Sequence, residues 1–151
     1  MKKIGHSAYS EVYQVTRKSD NHVYALKQVK IHKLSEKEKV NSLNEVRILA
    51  SINNENIIAY KEAFFDEKTS TLCIIMEYAS GGDLYEKILH HKKNATEFSE
   101  REVWEISIQM IRSLKALHDR NIFHRDLKSA NIFLTADGTV KMGDLNVSKI
   151  S

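Results

Sequence analysis

The chain has 151 residues, 42% hydrophobic and 28% charged, with a net charge of +3, which suits one globular domain with a real core. The basic excess is spread over lysines such as Lys33, Lys37 and Lys92, so no nucleic-acid or membrane partner is expected. No apolar run reaches membrane length, Met1-Lys2-Lys3-Ile4-Gly5 lacks a signal-peptide core, and the single Cys73 cannot form an internal disulfide; a cytoplasmic or nuclear setting is expected.

In chain order, Val12 to Val15 and Val23 to Val29 predict two strands joined by the polar turn Lys18-Ser19-Asp20-Asn21. Alternate residues of a strand share a face, which sets Lys27 beside Val23, Ala25 and Val29. Either that face is exposed and the lysine solvated, or the lysine needs a partner. A capping box at Ser35-Glu36-Lys37-Glu38 opens a helix running to about Ile52. At about 100° per residue, Val46, Ile48, Leu49 and Ile52 share one arc, and Glu45 falls inside it. Glu45 is therefore the expected partner of Lys27.

Further strands are expected near Ile57 to Phe65 and Leu72 to Met76, with Cys73 as a buried packing residue of the second. Gly81-Gly82 breaks the chain, and the residues beyond it read mostly as helix. A second capping box, Ser99 with Glu102, opens a helix whose apolar positions are Val103, Ile106, Met110, Leu114 and Leu117; it ends near His118 to Asn121. Ile132 to Leu134 and Val140 to Met142 read as a hairpin around Asp137-Gly138. His90-His91 has no ligand-rich neighbour, so no metal is expected there. The order implies an α+β fold: a small antiparallel sheet lobe with one helix over residues 1–79, and a partial helical lobe over 80–151.

The chemistry concentrates in His124-Arg125-Asp126-Leu127-Lys128-Ser129-Ala130-Asn131, with Asp144 thirteen residues after Asn131. Phosphoryl transfer needs an acid to orient the attacking hydroxyl, a cation near the γ-phosphate, and an amide and a second acid for metal ions. The pattern resembles the protein-kinase signature H-R-D-L-x-x-x-N followed by a D-x-G-type motif, and the implied fold is protein-kinase-like. The resemblance gives Asp126 the role of base or orienter and Lys128 that of stabilising the transferred phosphoryl group. It gives Asn131 and Asp144 the Mg²⁺, a hard cation suited to oxygen ligands. Tyr24-Ala25-Leu26-Lys27 and Glu45 look like the kinase Lys–Glu pair that contacts the α/β-phosphates of ATP.

Ile4-Gly5-His6-Ser7-Ala8-Tyr9-Ser10-Glu11-Val12 is similar to the glycine-rich loop, although Ser7 and Ser10 replace its second and third glycines. Ile4, Gly5, Val12, Ala25 and Phe133 are implied to line the nucleotide site. Met76-Glu77-Tyr78-Ala79-Ser80-Gly81-Gly82-Asp83 resembles the hinge, where backbone groups of Glu77 and Ala79 would bind adenine and Asp83 the ribose. Taken alone it is a strand running into a glycine turn. Lys128 points to the serine/threonine type, hence to protein substrates with Ser/Thr acceptors. Asn44 to Ile52, Leu127 to Phe133 and Gly143-Asp144-Leu145 are similar to NIMA-related kinases; that implies cell-cycle roles and placement at centrosomes or cilia.

Asn146 departs from the third residue of the D-F-G motif, and the chain ends at Ser151. The expectation is a truncated kinase domain with little or no activity alone. The alternative is a pseudokinase or nucleotide-binding scaffold; retention of Lys27, Glu45, Asp126, Asn131 and Asp144 speaks against it.

Overall fold

The computed structural model describes residues 1–7, 10–143 and 149–150, apart from the side chains of Glu45, Lys149 and Ile150. Asp144, Asn146 and the carboxylate of Glu45 thus lie outside the described residues. The chain forms two compact units, Met1–Ser51 with Ala59–Tyr78, and Ile52–Ile58 with Ala79–Ser151.

The first unit is a five-stranded antiparallel sheet with one long helix. Strands β1 (Lys2–His6), β2 (Ser10–Thr16), β3 (Val23–Lys30), β4 (Tyr60–Asp66) and β5 (Thr71–Glu77) lie in the order β1-β2-β3-β5-β4. Helix α1 spans Glu36–Ser51. Its expected capping box is present: Ser35 donates through both N–H and Oγ to Glu38 Oε2 at 2.7 Å, and the Glu38 N–H returns to Ser35 Oγ at 3.4 Å. Ile48, Leu49 and Ile52 are buried, as the arc requires. Val29, Leu34, Leu72 and Ile74 form the core, with Val46 of α1 and Ala63 of β4 packed against it. Each such aliphatic side chain contributes about 1.5–3 kcal/mol by leaving water. Cys73 is buried as expected, and burial pushes its thiol pKa up.

The second unit contains α2 (Leu84–Lys93), α3 (Glu100–His118), the pair β6 (Ile122–Phe123) and β9 (Lys149–Ile150), and the hairpin β7 (Ile132–Leu134) and β8 (Val140–Met142). The hairpin has the predicted ends. Three expectations are corrected. The strand expected from Ile57 starts at Tyr60, because the backbone at 56–58 is taken up by β8: Met142 N–H donates to Asn56 O at 2.8 Å and Ile58 N–H to Met142 O at 2.9 Å. For that reason Ile52–Ile58 belongs with the second unit, not with the sheet.

The second correction concerns α3. Ser99 caps it by accepting from Glu102 N–H at 3.2 Å, but Val103 is half exposed, and the buried stripe is Ile106, Ser113, Ala116 and Leu117. Ser113 can be buried because its hydroxyl donates to Met110 O at 2.7 Å.

The third is the glycine break. Gly81-Gly82 lies inside the second unit, laid along β7: Gly81 N–H donates to Leu134 O at 2.7 Å and Leu134 N–H to Gly82 O at 2.8 Å. A Cβ on Gly81 would stand 2.7 Å from Leu134 O and 2.8 Å from Thr135 O. Here glycine permits the close approach of two backbones.

Candidate active site

In the first unit, strand pairing gathers the nucleotide candidates on one side of the sheet. The pairs Gly5↔Val12, Val12↔Lys27 and Gln14↔Ala25 stand directly opposite one another, and directly paired residues share a face. Gly5, Val12, Ala25 and Lys27 therefore line a common face. Lys27 is buried, at 8% exposure, and Ile74 stands opposite it on β5. The solvated-lysine alternative is thus excluded. Ile4 is half exposed, on the edge strand beside the register shift between Lys3 and Gly5.

Glu77 ends β5, where its N–H donates to Ala59 O at 2.8 Å and its Oε2 accepts from Ala59 N–H at 3.1 Å. Ala79 is a buried residue of the second unit. Asp83 is first of all the N-cap of α2: its Oδ1 accepts from Glu86 N–H at 2.8 Å, and the Glu86 carboxylate returns to Asp83 N–H, completing a capping box. Sequence reading missed that box, although Asp83 three residues before Glu86 is its ordinary signal.

In the second unit the residues 124–131 fold back on themselves. A 3-10 turn over Ser129–Asn131 follows Lys128, and Arg125 adopts φ +62°, a left-handed conformation unusual for arginine. Asn131 is buried and donates through Nδ2 to both Asp126 O, at 2.9 Å, and Asp126 Oδ2, at 3.1 Å. Lys128 Nζ stands 3.2 Å from the same Oδ2. Asp126, Lys128 and Asn131 are thus brought together by direct bonds. Both bonds are made by the amide nitrogen of Asn131, so Oδ1 is the atom that could meet a hard cation such as Mg²⁺.

His124 supports this turn from beneath. It is buried; its Nδ1 accepts from Asp126 N–H at 3.2 Å, so Nε2 carries the proton donated to Gly143 O at 2.9 Å. Gly143 N–H donates to Asn131 O at 3.0 Å, so the residue before Asp144 is tied to both His124 and Asn131. A Cβ on Gly143 would lie 2.7 Å from Phe133 Cε2, so Phe133 is placed against that backbone. The need for glycine at 143 had no signal beyond its place before an acidic residue.

A protein kinase domain model matches residues 1–151. The chain belongs to the protein kinase family. This kinase domain is 39% identical over 150 residues to serine/threonine-protein kinase Nek1 of Mus musculus, covering 99% of this chain. It is 40% identical over 146 residues to serine/threonine-protein kinase Nek9 of Xenopus laevis, and 35% over 150 to probable serine/threonine-protein kinase nek2 of Dictyostelium discoideum, each match covering 97% of this chain. The chain spans 12%, 15% and 36% of those relatives' lengths. The kinase resemblance and its NIMA-related branch are both borne out. Among the described residues no helix is long and apolar enough to cross a membrane.

Proposed function

We propose that this kinase domain carries the nucleotide and phosphoryl-transfer machinery of an ATP-dependent serine/threonine protein kinase. The observation that carries the reading is the bonded set Asp126–Lys128–Asn131, an acid held at one oxygen by an amide and a cation. In this reading Asp126 orients the acceptor hydroxyl and receives its proton, and Lys128 offsets charge on the transferred phosphoryl group. Asn131 Oδ1 and Asp144 would hold Mg²⁺, which would supply positive charge to offset that of the phosphates. On the first unit Gly5, Val12 and Ala25 offer their shared face to the nucleotide, with Ile4 beside it, and Lys27, for which the resemblance names Glu45 as partner, meets the phosphates; Phe133 is the nucleotide candidate of the second unit. Backbone groups of Glu77 and Ala79 meet adenine; Asp83 reaches the ribose through the oxygen its cap leaves over.

The bonded set favours this reading over a scaffold, which would have no use for an acid, a lysine and an amide held together. The substrates are proteins with Ser or Thr acceptors. The setting is cytoplasm or nucleus, with centrosome or cilium suggested by kinship with NIMA-related kinases. The test is phosphate transfer from Mg²⁺-ATP to a Ser/Thr peptide. Transfer at any measurable rate is expected to vanish in Asp126→Asn. Transfer that persists in that variant overturns the role of Asp126.

A further inference from the structure

We propose that Gln109 is a positioning residue for the metal site: from α3 it fixes the strand that ends beside Gly143, and through Gly143 it sets the place of Asn131. The proposal rests on the reading of Asn131 as a Mg²⁺ ligand and adds a residue which that reading does not use.

Val140 N–H of β8 donates to Gln109 Oε1 at 2.9 Å, and Val140 O accepts from Asn56 Nδ2 at 2.9 Å. Asn56 Nδ2 also donates to Gln109 Oε1 at 3.1 Å, so one oxygen of α3 holds both the strand and the segment beside it. The orientation of these amides follows from the backbone. Val140 N–H can only donate, so Gln109 must present oxygen to it. The other end of the Gln109 amide then donates to Glu105 O at 3.1 Å. With Gln109 Oε1 and Val140 O both acceptors, Asn56 must present its NH₂ group. Asn56 and Val140 are buried, where such bonds are stronger than in water.

From Val140 the hold passes along the strand. Met142 N–H donates to Asn56 O at 2.8 Å and Met142 O accepts from Ile58 N–H at 2.9 Å, so β8 is bonded through to its last residue. Gly143 follows: its N–H donates to Asn131 O at 3.0 Å, and its O accepts from His124 Nε2 at 2.9 Å. Asn131 in turn bonds Asp126 through the amide nitrogen, with Oδ1 left toward the cation. Val140 and Gly143 are ~10 Å apart along the chain, and every link between Gln109 and Asn131 is backbone or a direct hydrogen bond. A shift of β8 along its axis therefore reaches Asn131. Among the described residues the other polar contact from α3 to β8 is Ser113 Oγ to Met142 Sδ, at 3.7 Å, and a thioether is a weak acceptor. Gln109 is thus the firm anchor of this strand on the helix. Bonds behind the ligands commonly orient a metal site in this way.

The experiment titrates ATP calorimetrically, with and without Mg²⁺, into the full chain and three variants, and follows amide exchange of the Gly143 N–H without ligand. Gln109→Met keeps a long side chain and a good helix former but offers Val140 N–H no oxygen. It should weaken ATP binding in Mg²⁺ about tenfold, the scale of a lost bond behind a metal ligand. Metal-free ATP binding should stay within twofold, and the Gly143 N–H should exchange faster. Gln109→Glu keeps Oε1 and should restore binding in Mg²⁺. Ile106→Val trims a buried side chain of α3 without touching the amides, and should leave both readouts unchanged. An Ile106→Val loss equal to that of Gln109→Met would assign the effect to helix packing and overturn the positioning role. So would unchanged Mg²⁺-dependent binding or unchanged Gly143 exchange in Gln109→Met, or a Gln109→Glu variant that fails to restore binding. In each of those cases a Mg²⁺ response of the unaltered chain still upholds the metal reading. An unaltered chain with no Mg²⁺ response overturns both.

Discussion

Gly81→Ala should strongly destabilise the second unit. The added Cβ would meet Leu134 O at 2.7 Å, Thr135 O at 2.8 Å and the Leu134 carbonyl carbon at 3.1 Å. All three are backbone atoms of β7 and its continuation, so no side chain can swing away to relieve the contact. Overpacking of this kind costs about 1–3 kcal/mol. Relief by separating the two backbones would weaken Gly81 N–H to Leu134 O and Leu134 N–H to Gly82 O, each worth about 0.5–1.5 kcal/mol. The sum is a loss of about 2–6 kcal/mol. Gly138→Ala is the control: that residue has φ +85° with nothing within 4 Å of an added Cβ, so it should lose about 1–2 kcal/mol through the left-handed backbone alone. Urea unfolding followed by far-UV circular dichroism measures both. A Gly81→Ala loss below that of Gly138→Ala would refute the steric argument.

Asp83→Ala should cost about 1 kcal/mol of stability by removing the α2 cap, readable in the same unfolding experiment, whatever becomes of nucleotide affinity. Asp20 should titrate well below the ordinary carboxylate range, because the Arg17 side chain bonds it first and His22 N–H second. Its folded pKa is depressed, so its contribution is present above about pH 4, the unfolded value, and is lost as pH falls through the folded pKa. An NMR titration should show the Asp20 midpoint returning toward the ordinary value in Arg17→Ala; an unchanged midpoint would dismiss the pair.

Much of this domain was legible because its signals are local. The parity of Lys27, the arc of Ile48, Leu49 and Ile52, the box at Ser35 and the hairpin ends at Ile132 and Met142 each depend on residues a few positions apart. What the sequence hid depends on distant backbone. Ile57 has strand composition, yet residues 56–58 pair with β8 more than eighty residues later. Val103 fits the helical period, but burial on α3 is set by what packs against Ser113 and Leu117. Of the candidate site, the spacing of Asp126, Lys128 and Asn131 announced the cluster. The bonds from His124 to Gly143 O and from Val140 N–H to Gln109 needed coordinates.

The central claim, that these residues hold a metal-bound nucleotide for phosphoryl transfer, is tested most directly by calorimetric titration of ATP into the chain with and without Mg²⁺. The account predicts that Mg²⁺ tightens ATP binding and that Asp144→Asn removes this dependence while metal-free binding is preserved. Equal affinities with and without Mg²⁺, unaffected by Asp144→Asn, would contradict it.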